Sequence, residues 1–248
     1  VGKYQERVYR LTCSTAGLIS FNVKVKETDL WILAERDLSR AAVDSVLNHR
    51  RGLEKYLARK PEAAVSLDPL ADDPLAPLLV RSMLKAGQKA GTGPMAAVAG
   101  AIAQVVGNDL LRLSRQIVVE NGGDLFLAAT QNINVAIWAG DSPLSGRIGI
   151  EVAAEQMPIG LATSSGTVGH SMSLGKADAA LVASGDVALA DAVATAMGNR
   201  VRSVSDLDQA LAWAGEIPGV SGALIVLGDR LGAWGDLHLI ELGAGEDK

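Results

Sequence analysis

The chain has 248 residues, of which 48% are hydrophobic and 21% charged, with a formal net charge of −5. That length allows one large domain or two small ones, and the apolar share can build a sizeable core. The acidic balance argues against a nucleic-acid partner, which needs a basic excess or stripe, and the single cysteine, Cys13, excludes an internal disulfide. The longest apolar stretch, residues 95–103, is too short to cross a bilayer, and no charged-then-apolar leader opens the chain. The expectation is a soluble cytoplasmic protein with no membrane partner.

Residues 18–25 alternate apolar Leu18, Phe21, Val23 and Val25 with polar Ser20, Asn22 and Lys24, and the apolar run Leu30-Trp31-Ile32-Leu33 follows Glu27-Thr28-Asp29. Two strands joined by a short turn fit this pattern. Ser39 is a good cap for a helix, Val43, Leu47, Leu53 and Leu57 recur at roughly helical spacing, and Pro61 stops it. His49, Arg50, Arg51, Lys55, Arg59 and Lys60 lie on that helix among acidic neighbours and read as a solvated face. Pro74 opens another helix through about Lys89. Pro94 then starts a helix of small residues over 95–106, apolar nearly all round and therefore central.

Strands are predicted at 116–120 and 125–128 around Asn121-Gly122-Gly123-Asp124, because tight hairpin turns need positive φ. Strands at 133–138 and 147–152 continue the sheet across Gly140-Asp141-Ser142-Pro143. Helices at 187–197 and 206–214 and strands at 223–227 and 237–241 complete the second half. Strands arriving in hairpins favour an α+β class with antiparallel pairing. One domain over residues 1–248, with flexible ends at about 1–15 and 243–248, is the simplest organisation.

The chemistry-bearing stretch is Thr163-Ser164-Ser165-Gly166-Thr167-Val168-Gly169-His170-Ser171. Hydroxyls and glycines are poor core material, so such a run between apolar segments points to binding. Backbone N–H groups and hydroxyls can cradle a phosphate or carboxylate. Asp191 and Thr195 are four apart, so on a helix they share a face and offer hard oxygens to Mg²⁺. The bland reading of the pair is a carboxylate near a helix start and a hydroxyl bonded back to a carbonyl. His170 titrates near neutrality and Lys176 can contact an anion; these are the candidates for catalysis. The helix start at Gly93-Pro94 offers either exposed N–H groups to an anion or a close packing contact.

Taken in order, Glu27-Thr28-Asp29-Leu30, the run from Gly93 to Gly100, Glu120-Asn121-Gly122-Gly123-Asp124, the Thr163 to Ser171 loop, Gly175-Lys176-Ala177-Asp178-Ala179 and Ala190-Asp191-Ala192-Val193-Ala194-Thr195-Ala196 resemble a family of prokaryotic proteins related to ApbE, the FAD:protein FMN transferases. The resemblance covers about residues 15–200. It implies an ApbE-like fold of two T-fold-like halves, each an antiparallel sheet backed by helices. It also implies that Gly122, Gly123 and Asp124, with Thr163, Ser164, Ser165 and Gly166, line a flavin cleft, and that Asp191 and Thr195 hold Mg²⁺ beside the FAD pyrophosphate. Two departures stand out. Ala99-Gly100-Ala101-Ile102-Ala103-Gln104 occupies the place of a Lys-Gly-x-x-x-Asp signature, and His170-Ser171-Met172-Ser173-Leu174-Gly175 lacks the Asp-Pro that follows the transferases' His.

Three functional expectations follow. The first is an ApbE-like binder or divergent FMN-transferase-like enzyme for a flavin or another anionic, nucleotide-like ligand with a divalent cation. Thr167, Gly169 and Ser171 would join the ligand loop. The second is an enzyme or accessory of sulfide assimilation and homocysteine formation, which the resemblance suggests, with a persulfide on Cys13 as one version. The third is a non-catalytic assembly subunit that kept the scaffold. Free sheet edges make a homodimer the expected oligomer.

Overall fold

The computed structural model describes residues 17–165 and 175–243. The expected flexible ends, apart from Gly243, lie outside those residues, as does Cys13. The chain opens with strands β1 (Ile19–Val25) and β2 (Thr28–Ala34), then helices α1 (Ser39–Arg59), α2 (Glu62–Val65), α3 (Leu78–Ala90) and α4 (Val98–Leu110), then β3 (Ile117–Asn121) and β4 (Asp124–Ala128). A smaller pair, β5 (Ile133–Ala136) and β6 (Ile148–Val152), comes next. The second half has β7 (Ile159–Ser164), β8 (Ala179–Ser184), α5 (Val187–Arg200), α6 (Leu207–Gly215), β9 (Val220–Leu227), β10 (Arg230–Gly235) and β11 (His238–Glu241).

Eight strands form one sheet in the order β1-β2-β3-β4-β7-β8-β9-β10, with every neighbouring pair antiparallel. The order contains two successive units of two strands, helices and two strands, joined where Leu125, Phe126 and Leu127 of β4 pair with Leu161, Gly160 and Ile159 of β7. This is the antiparallel, helix-backed α+β class expected. The three remaining strands form a second sheet, β11-β6-β5. The reading of β5 and β6 as a continuation of the main sheet is therefore corrected. Their alternate apolar side chains Ile133, Val135, Ile150 and Val152 pack on Leu127, Leu161, Leu181 and Leu224 of the large sheet's outer face. Its other face packs against the helices. Covered on both sides, β8 is buried along its whole length, which explains why Ala179-Ala180-Leu181-Val182-Ala183 reads as a continuous apolar run.

Several boundaries differ from the sequence expectation for physical reasons. Ser39 does not cap α1; the Asp37 carboxylate accepts its N–H at 2.8 Å instead. The buried stripe of α1 is Ala42, Val46, Leu53 and Tyr56, while Leu47 is 43% exposed. Helix α3 starts at Leu78 rather than Pro74, because Pro77 disfavours helical backbone in the residue before it. The turn over Pro94–Ala97 is a 3-10 helix, so α4 begins at Val98. It is central as expected, and its Gly100, Ala101, Ile102, Ala103, Val106 and Gly107 are buried. Strand β10 was missed because glycines at 232 and 235 dilute its apolar pattern. On the basic face of α1, Arg50 pairs with Glu27 and Glu54 and His49 with Asp109, and Lys60, just past its end, pairs with Asp73.

Helix α5 underlies the site, and two side chains satisfy its first N–H groups. Asp186 accepts Leu189 N–H at 3.2 Å, and Gln104 of α4 accepts Val187 N–H at 2.9 Å. Asp186→Ala is expected to cost about 1 kcal/mol, a fall of roughly 3 °C in melting temperature for a domain of this size. An unchanged thermal melt would show that the Gln104 contact alone suffices.

Candidate functional site

The site is built around the turn between β3 and β4. Asn121 pairs with Asp124, so the turn consists of Gly122 and Gly123, at φ of 69° and 107°. Glycine adopts both conformations without strain. The turn places Asp124 at the first position of β4 with its side chain pointing inward, and the residue is 5% exposed. Neighbouring groups hold the turn down. Glu120 accepts Gly123 N–H at 2.9 Å, and Asn121 donates its side-chain amide to the Ala99 carbonyl at 2.9 Å.

Asp191 enters from α5. Its carboxylate accepts Gly100 N–H at 2.9 Å and also the N–H of Ala99. These are orphan donors of the first turn of α4, so Asp191 caps a neighbouring helix rather than its own. The two helices approach closely here because residue 100 is glycine. A Cβ there would lie 2.4 Å from the Val187 carbonyl oxygen and 2.8 Å from Asp191 Cβ.

The Asp124 carboxyl donates a hydrogen bond to that of Asp191 and accepts the backbone N–H of Thr163. Burial raises the Asp191 pKa to about 7, against the hydrogen bonds from Gly100, Asp124 and Ala99. Asp191 keeps some accessible surface, although it is densely surrounded. Burial pushes Asp124 well above the ordinary carboxylate range, and the charges of Asp191 and Glu120 push it the same way. Titration belongs to the pair rather than to either residue. The largest influences on the ionisation of the two carboxyls are burial, each other, Glu120 and backbone N–H groups, with no Lys, Arg or His among them.

Linkage sets the sign of the pH dependence. Between an unfolded carboxyl near 3.8 and the folded value of about 7, the native state holds the extra proton. The contribution of Asp191 to stability is complete below about pH 4 and is lost as pH rises through about 7, and the raised Asp124 works in the same direction. In metal-free buffer the melting temperature is expected to fall from pH 5 to pH 8, and Asp124→Asn is expected to fall less. An equal fall in both proteins would remove the pair as the cause.

The structure places the sequence-predicted residues in three groups. Gly122, Gly123, Asp124, Thr163 and Asp191 converge at one point. Thr195, one turn after Asp191 on the same face of α5, is half-buried. Thr163 and Ser164 belong to strand β7 rather than to a loop, and Ser164 and Ser165 are half-buried. Lys176 is exposed, and its N–H donates to the Val201 carbonyl just past the end of α5. Helical rise puts that point about 15 Å along the axis from Asp191. Gly166, Thr167, Gly169, His170 and Ser171 lie outside the described residues.

Sequence reasoning missed Glu120, Asn121 and the N–H groups of Ala99 and Gly100. Of the two readings of Gly93-Pro94, the close packing contact holds: Gly93 N–H donates to the Leu67 carbonyl at 2.7 Å, and a Cβ at Gly93 would overlap the Ser66 carbonyl. The first turn of α4 lies further on, and it takes an anion from within the chain, Asp191. Gln104 accepts the first N–H of α5.

Among the described residues, no three His, Cys, Asp or Glu side chains converge to hold a metal ion. The donor chemistry still fits a hard cation. Two carboxyls in contact and a hydroxyl on the same helix face supply part of an oxygen shell, and Mg²⁺ takes its remaining ligands from water and phosphate. A flavin fits less directly, through the small residues Gly122, Gly123, Thr163 and Ser164 beside that cluster.

Comparison with known structures agrees with this fold. The chain superposes on the apo form of the Pseudomonas stutzeri flavinyl transferase ApbE with a TM-score of 0.59 at 14% identity, covering 88% of this chain and 94% of that one. The flavin transferase ApbE from Vibrio cholerae gives 0.54 at 12% identity, covering 88% and 96%. The architecture is therefore that of the ApbE flavin transferases. The family model described as AbpE bacteria matches residues 11–230, and the chain belongs to that family. A UPF0280 protein of Methanocella arvoryzae is 40% identical over 218 residues, 88% of this chain and 89% of the relative. One of Methanosarcina acetivorans is 37% identical over 225 residues, covering 90% and 88%. No single helix among the described residues is long and apolar enough to cross a membrane.

Proposed function

We propose that this protein binds a flavin nucleotide, or another phosphate-bearing small molecule, together with a divalent cation held by Asp191 and Thr195. The observation that carries the reading is the buried contact between the Asp191 and Asp124 carboxyls, with no basic side chain among the main influences on either. A cation balances such a site, and its ordinary companion there is a phosphate oxygen. The fold shared with flavin transferases supports the flavin as ligand.

In this arrangement Asp191 orients toward the cation while its bonds to Ala99 and Gly100 lock it to α4. The Gly122-Gly123 turn lets a ligand approach the backbone closely. When bound, the divalent ion would neutralise phosphate oxygens. Flavin transfer to a protein is outside the reading, because Ala99 and Gln104 stand where the family's signature has Lys and Asp.

Calorimetric titration of the metal-stripped protein with FAD, with and without Mg²⁺, tests the proposal. The expected result is binding that requires Mg²⁺. Absence of binding under both conditions would overturn the flavin reading.

A further inference from the structure

We infer that Asp124 is a second carboxylate ligand of the divalent cation at Asp191 and Thr195, an assignment that rests on the function proposed above. Asp124 comes from a different part of the fold than the other two. It opens β4, whereas Asp191 and Thr195 lie on α5, and its carboxyl nevertheless touches that of Asp191. An ion within reach of the Asp191 carboxylate is therefore next to the Asp124 carboxylate as well.

A purely structural role for Asp124 does not account for the residue type. Its bonds include one donated to Asp191 and one accepted from Thr163 N–H. An asparagine amide supplies a donor and an acceptor at the same position without placing a second ionisable carboxyl against the first. The backbone commits to this placement: two positive-φ glycines form the turn, and Glu120 and Asn121 tie it to its surroundings. Asp124 is nine-tenths enclosed, so its carboxylate faces the interior of the site rather than bulk water. Glu120 adds negative field beside it. A site with these two carboxylates takes a small, hard, divalent ion in preference to a monovalent one.

The test is titration of the metal-stripped protein with Mg²⁺ alone by calorimetry and with Mn²⁺ by electron paramagnetic resonance, on the wild type and on Asp124→Asn. The asparagine keeps both hydrogen bonds, and a thermal melt at pH 8 confirms that the variant is folded. The expected result is wild-type binding weakened at least about tenfold in Asp124→Asn, with a changed Mn²⁺ spectrum. Wild-type binding with unchanged affinity and spectrum in Asp124→Asn would overturn the assignment and leave the proposed cation site standing. Absence of Mg²⁺ and Mn²⁺ binding by the wild type would overturn both.

Discussion

Gly100→Val is expected to leave the protein largely unable to hold its native helix packing. Atoms added at this position meet backbone rather than a yielding side-chain end. The Cβ alone would lie 2.4 Å from the Val187 carbonyl oxygen, 3.0 Å from its carbonyl carbon and 2.8 Å from Asp191 Cβ. Relief requires α4 and α5 to separate along a contact where Gly100, Ala101, Val187, Ala188 and Ala190 are all buried. Overpacking of this kind costs roughly 3 kcal/mol, a large share of the roughly 5–15 kcal/mol that holds a domain folded. Separation also pulls Gly100 N–H away from Asp191, so the fold and the site fail together. Urea denaturation checks this, with Gly185→Ala as control, since nothing lies within 4 Å of a Cβ there. Equal midpoints for Gly100→Val and the control would refute the packing argument.

Asp191→Ala is expected to abolish Mg²⁺-dependent FAD binding while the protein still folds. Two effects oppose each other in its stability. Loss of the acceptor leaves the N–H groups of Ala99 and Gly100 uncapped, at about 1 kcal/mol, whereas removing one of two touching carboxyls relieves their repulsion. Asp191→Asn separates these contributions. Its amide oxygen still caps α4, and its neutral head cannot hold the ion as a carboxylate does. This variant is expected to melt no lower than wild type at pH 8 and to lose at least about tenfold in Mg²⁺-dependent affinity. Unchanged FAD affinity in Asp191→Ala would remove the residue from the binding site.

Much of the fold was legible because it rests on local chemistry. The hairpin at Gly122-Gly123 formed as expected, since two adjacent glycines between apolar runs leave few alternatives. The all-round apolar character of α4 marked it as central. Strand β1 showed its single buried face through Phe21 and Val23, the mark of a strand at the sheet edge. Local chemistry was misleading where several residues compete for one role. Ser39 and Asp37 both suit a cap, yet Leu38 occupies that position and Asp37 only accepts the N–H of Ser39. Thr163 and Ser164 carry hydroxyls like a binding loop, yet their backbone completes a sheet whose neighbours are already in register.

Half of the candidate site was legible too. Asp191 and Thr195 were picked out by a spacing that puts them on one helix face, and Asp124 by the resemblance to ApbE. Glu120 carried no mark, because a carboxylate at a strand end reads as solvated until its burial is known. The sequence by itself determined the β1-β2, β3-β4 and β5-β6 pairs, the double-glycine turn, the small-residue helix α4 and the family, all of which follow from side-chain period, backbone freedom and motif. Only the tertiary structure decided that Asp124 meets Asp191 and that Asp191 caps α4. Those contacts depend on β4 pairing with β7 and on α4 lying against α5 at Gly100, and such long-range packing follows from the burial of all the layers together rather than from the preferences of any one segment.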